Sequence, residues 1–195
     1  MTSSTRPLVL GPLVLAGMIL VAALTRLLPH PFPVPYNFSP IESIALFGGA
    51  YFSRRMLAVA TPLIAMLISD LALGLMHGGV YLDYFMGANF LAIYASIVLC
   101  TLLGFGLRGR VSGPGVLASS LGGSVLFFLA TNFATWLSAD PRIASACASG
   151  LSACYIAGLP FFQWTLLGTL FYSAVLFGGF ALLRSRIPEL HAQTV

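Results

Sequence analysis

The chain is a succession of apolar runs of about twenty residues, broken by short stretches that carry arginine, proline or glycine. A helix of that length is about 30 Å long, the thickness of a bilayer's hydrocarbon core. Charged residues are too few to clothe a water-soluble surface: they make up 7% of the 195 residues, while 58% are hydrophobic. A soluble domain carries about 25% charged residues. A cytosolic globule, a disordered tail and a coiled coil are all excluded. What remains is an all-α integral membrane protein forming one transmembrane domain over residues 1–195.

The periodicity predicts six spans, at 7–28, 41–52, 56–76, 81–107, 115–137 and 161–183. The first run is read as a helix, not a cleaved leader, because the chain beyond it is also membrane-embedded. Between the first two spans, His30-Pro-Phe-Pro-Val-Pro-Tyr-Asn-Phe-Ser-Pro40 is too proline-rich for a helix. The short second helix needs shielding by its neighbours. A loop is expected from Ser138 to Pro160. All nine basic residues are arginine. Seven of them (Arg6, Arg54, Arg55, Arg108, Arg110, Arg184, Arg186) fall on one side of these spans, and two (Arg26, Arg142) on the other. The positive-inside rule puts the first group, and with it both termini, in the cytoplasm. Scattered singly or in pairs, the arginines build no nucleic-acid patch.

The acids and histidines partition the other way. Glu42, Asp70, Asp83, Asp140, His30 and His77 lie toward the outer ends, so a site is expected to open outward. Asp70 lies within a span, where a carboxylate is costly and marks a candidate site. Asp83 and Glu42 open helices, where a carboxylate suits the positive end of the helix dipole. Ser39-x-x-Glu42 also has capping-box spacing. His30 and His77 are either interfacial side chains or ligands at one outward cavity. Asn132 and Asn89 are intramembrane amides that need a neighbouring helix or a ligand. Outer aromatics, among them Tyr84, Tyr155 and Phe162, form an interfacial belt or a platform for a planar ligand. Cys147 and Cys154 are seven residues apart; in a continuous helix they would lie about 10 Å apart, out of disulfide reach, and they are read as small apolar residues. Small residues at four-residue spacing, such as Ala45/Gly49 and Ala118/Gly122, allow close helix packing. No Walker A, HExxH, Cys/His cluster or GxSxG occurs, and no enzyme, resident cofactor or metal is expected.

Several motifs together resemble a family of uncharacterised bacterial six-helix membrane proteins. They are Asn37-Phe-Ser-Pro-Ile41, Ala45-Leu-Phe-Gly-Gly-Ala50, Ser69-Asp70-Leu-Ala-Leu-Gly74, Thr131-Asn132-Phe133-Ala-Thr-Trp136, Cys154-Tyr155-Ile-Ala-Gly-Leu-Pro-Phe-Phe162 and Leu176-Phe-Gly-Gly179. That family is similar to the S components of energy-coupling-factor vitamin transporters, and closest to the solitary cobalamin-type S components. The resemblance implies a six-transmembrane-helix, S-component-like bundle in the bacterial inner membrane, with a vitamin pocket near the outer face. It places Asp70 and His30 beside the ligand. Cobalamin-type members also offer a cysteine to the cobalt after the Ser-Asp motif; residues 76–90 contain none, which leaves His77 or His30 as the imidazole ligand for a corrinoid.

The expected function is therefore binding and uptake of a small vitamin or precursor, cobalamin or another corrinoid first. The substrate-binding set is His30, Asp70, His77, Tyr84, Asn132, Tyr155 and Phe162. The expected partners are the lipid bilayer and an energy-coupling ATPase module. On this reading Asp70→Ala lowers uptake at near-normal protein levels. The alternative is a non-catalytic assembly or structural subunit without a small ligand, which Gly49→Leu or Gly122→Leu would disrupt.

Overall fold

The architecture is built around one short helix that the others enclose. The computed structural model describes residues 10–27, 37–78, 87–138 and 145–190. Among these the regular structure is entirely helical. The elements are α1 (Leu10–Leu24) with a 3-10 turn to Leu27, α2 (Ile41–Tyr51), α3 (Arg55–His77), α4 (Ala88–Phe105) and α5 (Gly113–Ser138). After a 3-10 turn at Ser145–Ser149 come α6 (Leu151–Ser173), a π-helical turn (Ala174–Gly178) and α7 (Gly179–Arg186). The last three run on as one 36-residue rod. Four stretches are long and apolar enough to cross a membrane: Leu10–Leu27, Arg55–His77, Gly113–Ser138 and Leu151–Arg186.

Every residue of α2 is buried, against α1, α3, α4, α5 and α6. Its 11 residues cover about 16 Å, half a hydrocarbon core, and the surrounding helices shield its ends. Two glycines let α4 approach. A Cβ at Gly49 would clash with the Thr101 carbonyl oxygen and stand 3.0 Å from the Gly104 Cα, so the two backbones touch where Gly49 meets Gly104. At the end of α2 the Arg108 side chain donates to the carbonyls of Gly49 (Nε, 2.9 Å) and Phe52 (2.7 Å). It neutralises the negative end of the helix dipole with charge-assisted bonds. Burial first, and the Arg55 charge second, push the Arg108 pKa down from its ordinary value. Phe47, Tyr51, Phe177 and Phe180 close the same end with edge-on ring contacts.

The outer surface is apolar where a soluble protein would be charged. Leu75 is 90% exposed, and Leu71, Leu91, Leu121, Leu137, Ile156 and Leu182 are also exposed. The hydroxyls and charges turn inward instead, with Glu42, Ser43, Ser69, Asp70, Asn89, Thr101, Ser120, Ser124 and Thr169 all buried. This inside-out distribution is what a lipid solvent demands.

Three expectations are corrected. The expected loop from Ser138 to Pro160 is shorter: α6 begins at Leu151, with Pro160 inside it. Packing against α5 holds the helix through the N–H that proline lacks. Cys147 and Cys154 form a disulfide, because the stretch is not one helix. The 3-10 turn ends at Gly150, whose φ of 117° redirects the chain before α6. Glu42 is not a capping-box residue: the N-cap of α2 is Pro40, no side chain caps it, and the Glu42 carboxylate is buried in the core.

Candidate functional site

At the end away from Arg54, Arg55, Arg108 and Arg110, the 3-10 turn after α1 brings Arg26 against α3. Its guanidinium donates to Asp70 Oδ1 and Ser69 Oγ, each at 2.6 Å. Tyr94 of α4 donates its hydroxyl to Asp70 Oδ2 at 2.9 Å. The Arg26 side chain is 12% exposed and that of Asp70 5%, so this is a buried, hydrogen-bonded ion pair. Next to Arg26, Thr25 Oγ1 lies 2.8 Å from the Tyr172 hydroxyl of α6. The network thus ties α1, α3 and α4 together, with α6 joined to the same turn.

A second polar group lies between α5 and α6. Asn37, Thr131, Asn132, Thr135, Gly158, Phe161, Phe162 and Thr165 are among the residues lining a cavity of about 130 Å³. Asn132 Nδ2 donates to the Phe128 carbonyl at 2.9 Å, and its Oδ1 lies against Gly158, where a Cβ would collide with it. Phe162 packs tilted against Phe128 (centroids 4.8 Å apart, ring planes at 47°), and Tyr155 donates to the Leu129 carbonyl at 2.9 Å. Thr135 donates to Asn89 Oδ1 at 2.9 Å, tying the pocket wall to α4.

The structure therefore brings Asn132, Phe162 and Tyr155 together and places Asp70 in a separate ion pair. His77 is exposed at the end of α3, its Nδ1 3.1 Å from the Leu73 carbonyl oxygen. His30 and Tyr84 lie outside the described residues, as do Asp83 and Asp140. Sequence reasoning used Arg26 for topology alone and passed over Tyr94. The available signal was that Arg26 stands on the arginine-poor side, at the end of a span.

A larger cavity, about 840 Å³, opens at the arginine-rich end between α5 and the α6–α7 rod. Arg110, Ser120, Ser173, Arg184 and Ser185 are among its lining residues, and the π turn forms part of its wall. The expectation that the space for a ligand lies only at the outer end did not include it. Between the two ends, hydroxyls cross the core. Ser120 donates to Ser173 at 2.9 Å, Ser173 to Ser43 at 3.2 Å, and Ser43 to the Thr169 carbonyl at 2.8 Å. Among the described residues no group of three or more His, Cys, Asp or Glu side chains is placed to hold a metal ion.

Apolar helices with lipid-ready surfaces around a polar, partly charged interior define a helical membrane protein. The chain belongs to DUF6580, a family of unknown function whose profile matches residues 9–190. Neither the curated proteins nor the solved structures contain a match.

Proposed function

We propose that this protein is a six-span, S-component-like membrane protein that binds a small vitamin or vitamin precursor at its arginine-poor end and carries it inward. The observation that carries the reading is the pair of polar features at that end: the Arg26–Asp70–Tyr94 network and the half-buried, amide-lined pocket at Asn132. Polar and ionisable groups inside a membrane are costly, and binding sites are where they are kept. The 130 Å³ at Asn132 is a subsite for one polar group, since whole ligand pockets run to about 300–1,000 Å³. His30 and Tyr84 belong to the proposed binding set on the resemblance of the motifs.

Orientation has two independent supports. The arginine partition supports a cytoplasmic arginine-rich end, and the resemblance of the motifs supports a bacterial inner membrane. The Cys147–Cys154 disulfide lies at the opposite end, which suits an oxidising compartment. Cobalamin and other corrinoids head the substrate panel on the resemblance of the motifs, with His77 or His30 as the imidazole for cobalt. Uptake draws on an energy-coupling ATPase module or on trapping of the ligand inside.

The test is thermal unfolding of purified protein against a vitamin panel that includes corrinoids. A ligand at 100 times its Kd stabilises by about 2.7 kcal/mol, a readily measured shift. Asn132→Ala and Phe162→Ala should lose the shift while unfolding normally without ligand. A shift that survives both substitutions would remove the pocket from the site.

A further inference from the structure

We propose that Glu42 is a proton-binding site at the centre of the bundle, held as the neutral carboxylic acid and exchanging its proton with the arginine-end cavity through the core hydroxyls. This inference does not depend on the binding reading above.

Glu42 is 1% exposed, and neither carboxylate oxygen has a hydrogen-bond partner among the described residues. Its neighbours come from three helices. Cys100 of α4 is the titratable group facing it, Gly123 of α5 packs on its Cβ, and the Thr169 hydroxyl of α6 stands beside it. Among the described residues no arginine or histidine acts on it. A carboxylate here would be an uncompensated buried charge.

The hydroxyls of Thr169 and Ser43 already donate elsewhere. Thr169 Oγ1 donates to the Thr165 carbonyl at 2.8 Å, so toward Glu42 it offers only lone pairs. Ser43 gives its proton to the Thr169 carbonyl. The missing donor is supplied when Glu42 itself carries the proton and gives it to Thr169 Oγ1. A metal ion would need six or so oxygen ligands, whereas a proton needs one acceptor.

A route for exchange is also present. Ser120 and Ser173 line the cavity and are hydrogen-bonded to each other, and Ser173 continues to Ser43. Ser124, one turn along α5 from Ser120 and next to Gly123, is a buried hydroxyl with no partner among the described residues. In the proposed route it is the hydroxyl that links Ser120 to Glu42. In each exchange Glu42 gives its proton to the neighbouring hydroxyl, every hydroxyl passes one on to a cavity water, and a proton from that water returns by the same route, so Glu42 and the hydroxyls each end with one proton.

Infrared spectroscopy of the detergent-purified full chain tests this, reading the C=O stretch of a protonated carboxyl. Glu42 and Glu189 are the only glutamates, so carbon-13 glutamate in an E189Q background assigns the band without touching Glu42. The expected result is an isotope-shifted protonated band at neutral pH that E42Q abolishes. On transfer to heavy water it should move, about tenfold more slowly in S124A, the factor for one lost hydrogen-bonded step. S124A leaves no new polar group unpaired and should fold. An ionised Glu42 whose carboxylate bands respond to sodium would replace the proton with a metal ion and overturn the proposal. Equal exchange in S124A, S120A and the parent protein would overturn the route.

Discussion

Removing both partners of the Arg26–Asp70 pair should cost well short of the sum of removing each alone. Asp70→Asn keeps the shape and an oxygen for the Tyr94 hydroxyl, but takes the Asp70 charge away from the Arg26 guanidinium, which is 12% exposed. Breaking a buried pair in this way costs about 3–5 kcal/mol. Arg26→Gln strands the Asp70 carboxylate and should cost a similar amount. The double variant places two neutral amides face to face and should fall well short of the sum, by about 2–3 kcal/mol of coupling. The assay is thermal unfolding in one detergent for all four proteins. At about 2–4 °C per kcal/mol, each single variant should lose roughly 6–20 °C. Additive losses would refute the pairing. The same arithmetic changes the meaning of Asp70→Ala. The sequence suggested near-normal protein levels, but the ion pair predicts a drop in folded protein, so lost uptake in that variant alone does not identify a ligand contact.

Four further outcomes are expected. Gly49→Leu should prevent folding or cost several kcal/mol, because any Cβ there meets the backbone of α4; a folded G49L in gel filtration would contradict the Gly49–Gly104 contact. Gly122→Leu should leave the isolated protein unaffected, since nothing lies within 4 Å of a Cβ there, and its loss of a co-purifying partner would point to the assembly-subunit reading. Thiol titration of the denatured protein should find one free cysteine, Cys100, without reductant and three with it, and reduction should lower stability by about 2–3 kcal/mol, the entropy of a loop this short. Cysteines placed at Ser53 and Ser112 should label from the cytoplasmic side and one at Ser145 from the outside; the reverse pattern would invert the orientation.

The helices were legible because lipid leaves an unmistakable signature: runs of twenty apolar residues have few other uses. α2 starts at the expected Ile41, and α3 at Arg55, one residue before the expected Met56. The start of α6 does not, because proline rules learned from water misjudge Pro160 in a packed membrane rod. Glu42 looked like a cap because Ser39-x-x-Glu42 is a local pattern, whereas its burial is set by Cys100, Gly123 and Thr169 on three other helices. Asp70 was legible as an intramembrane acid, but its partner Arg26 is 44 residues away, and no local spacing joins them. The hydroxyls were half visible: Thr165, Thr169 and Ser173 recur every four residues along α6, but Ser43 and Ser120 become their neighbours only when the bundle closes.

The most direct test of the binding account is mass spectrometry of the small molecules released from protein purified in mild detergent, with an absorbance spectrum of the same sample. The account predicts a vitamin or vitamin precursor at close to one per chain, lost in Asn132→Ala, with a corrinoid visible by its colour. Protein that is empty as purified, and still empty after incubation with the vitamin panel, would contradict it and leave the assembly-subunit reading in its place.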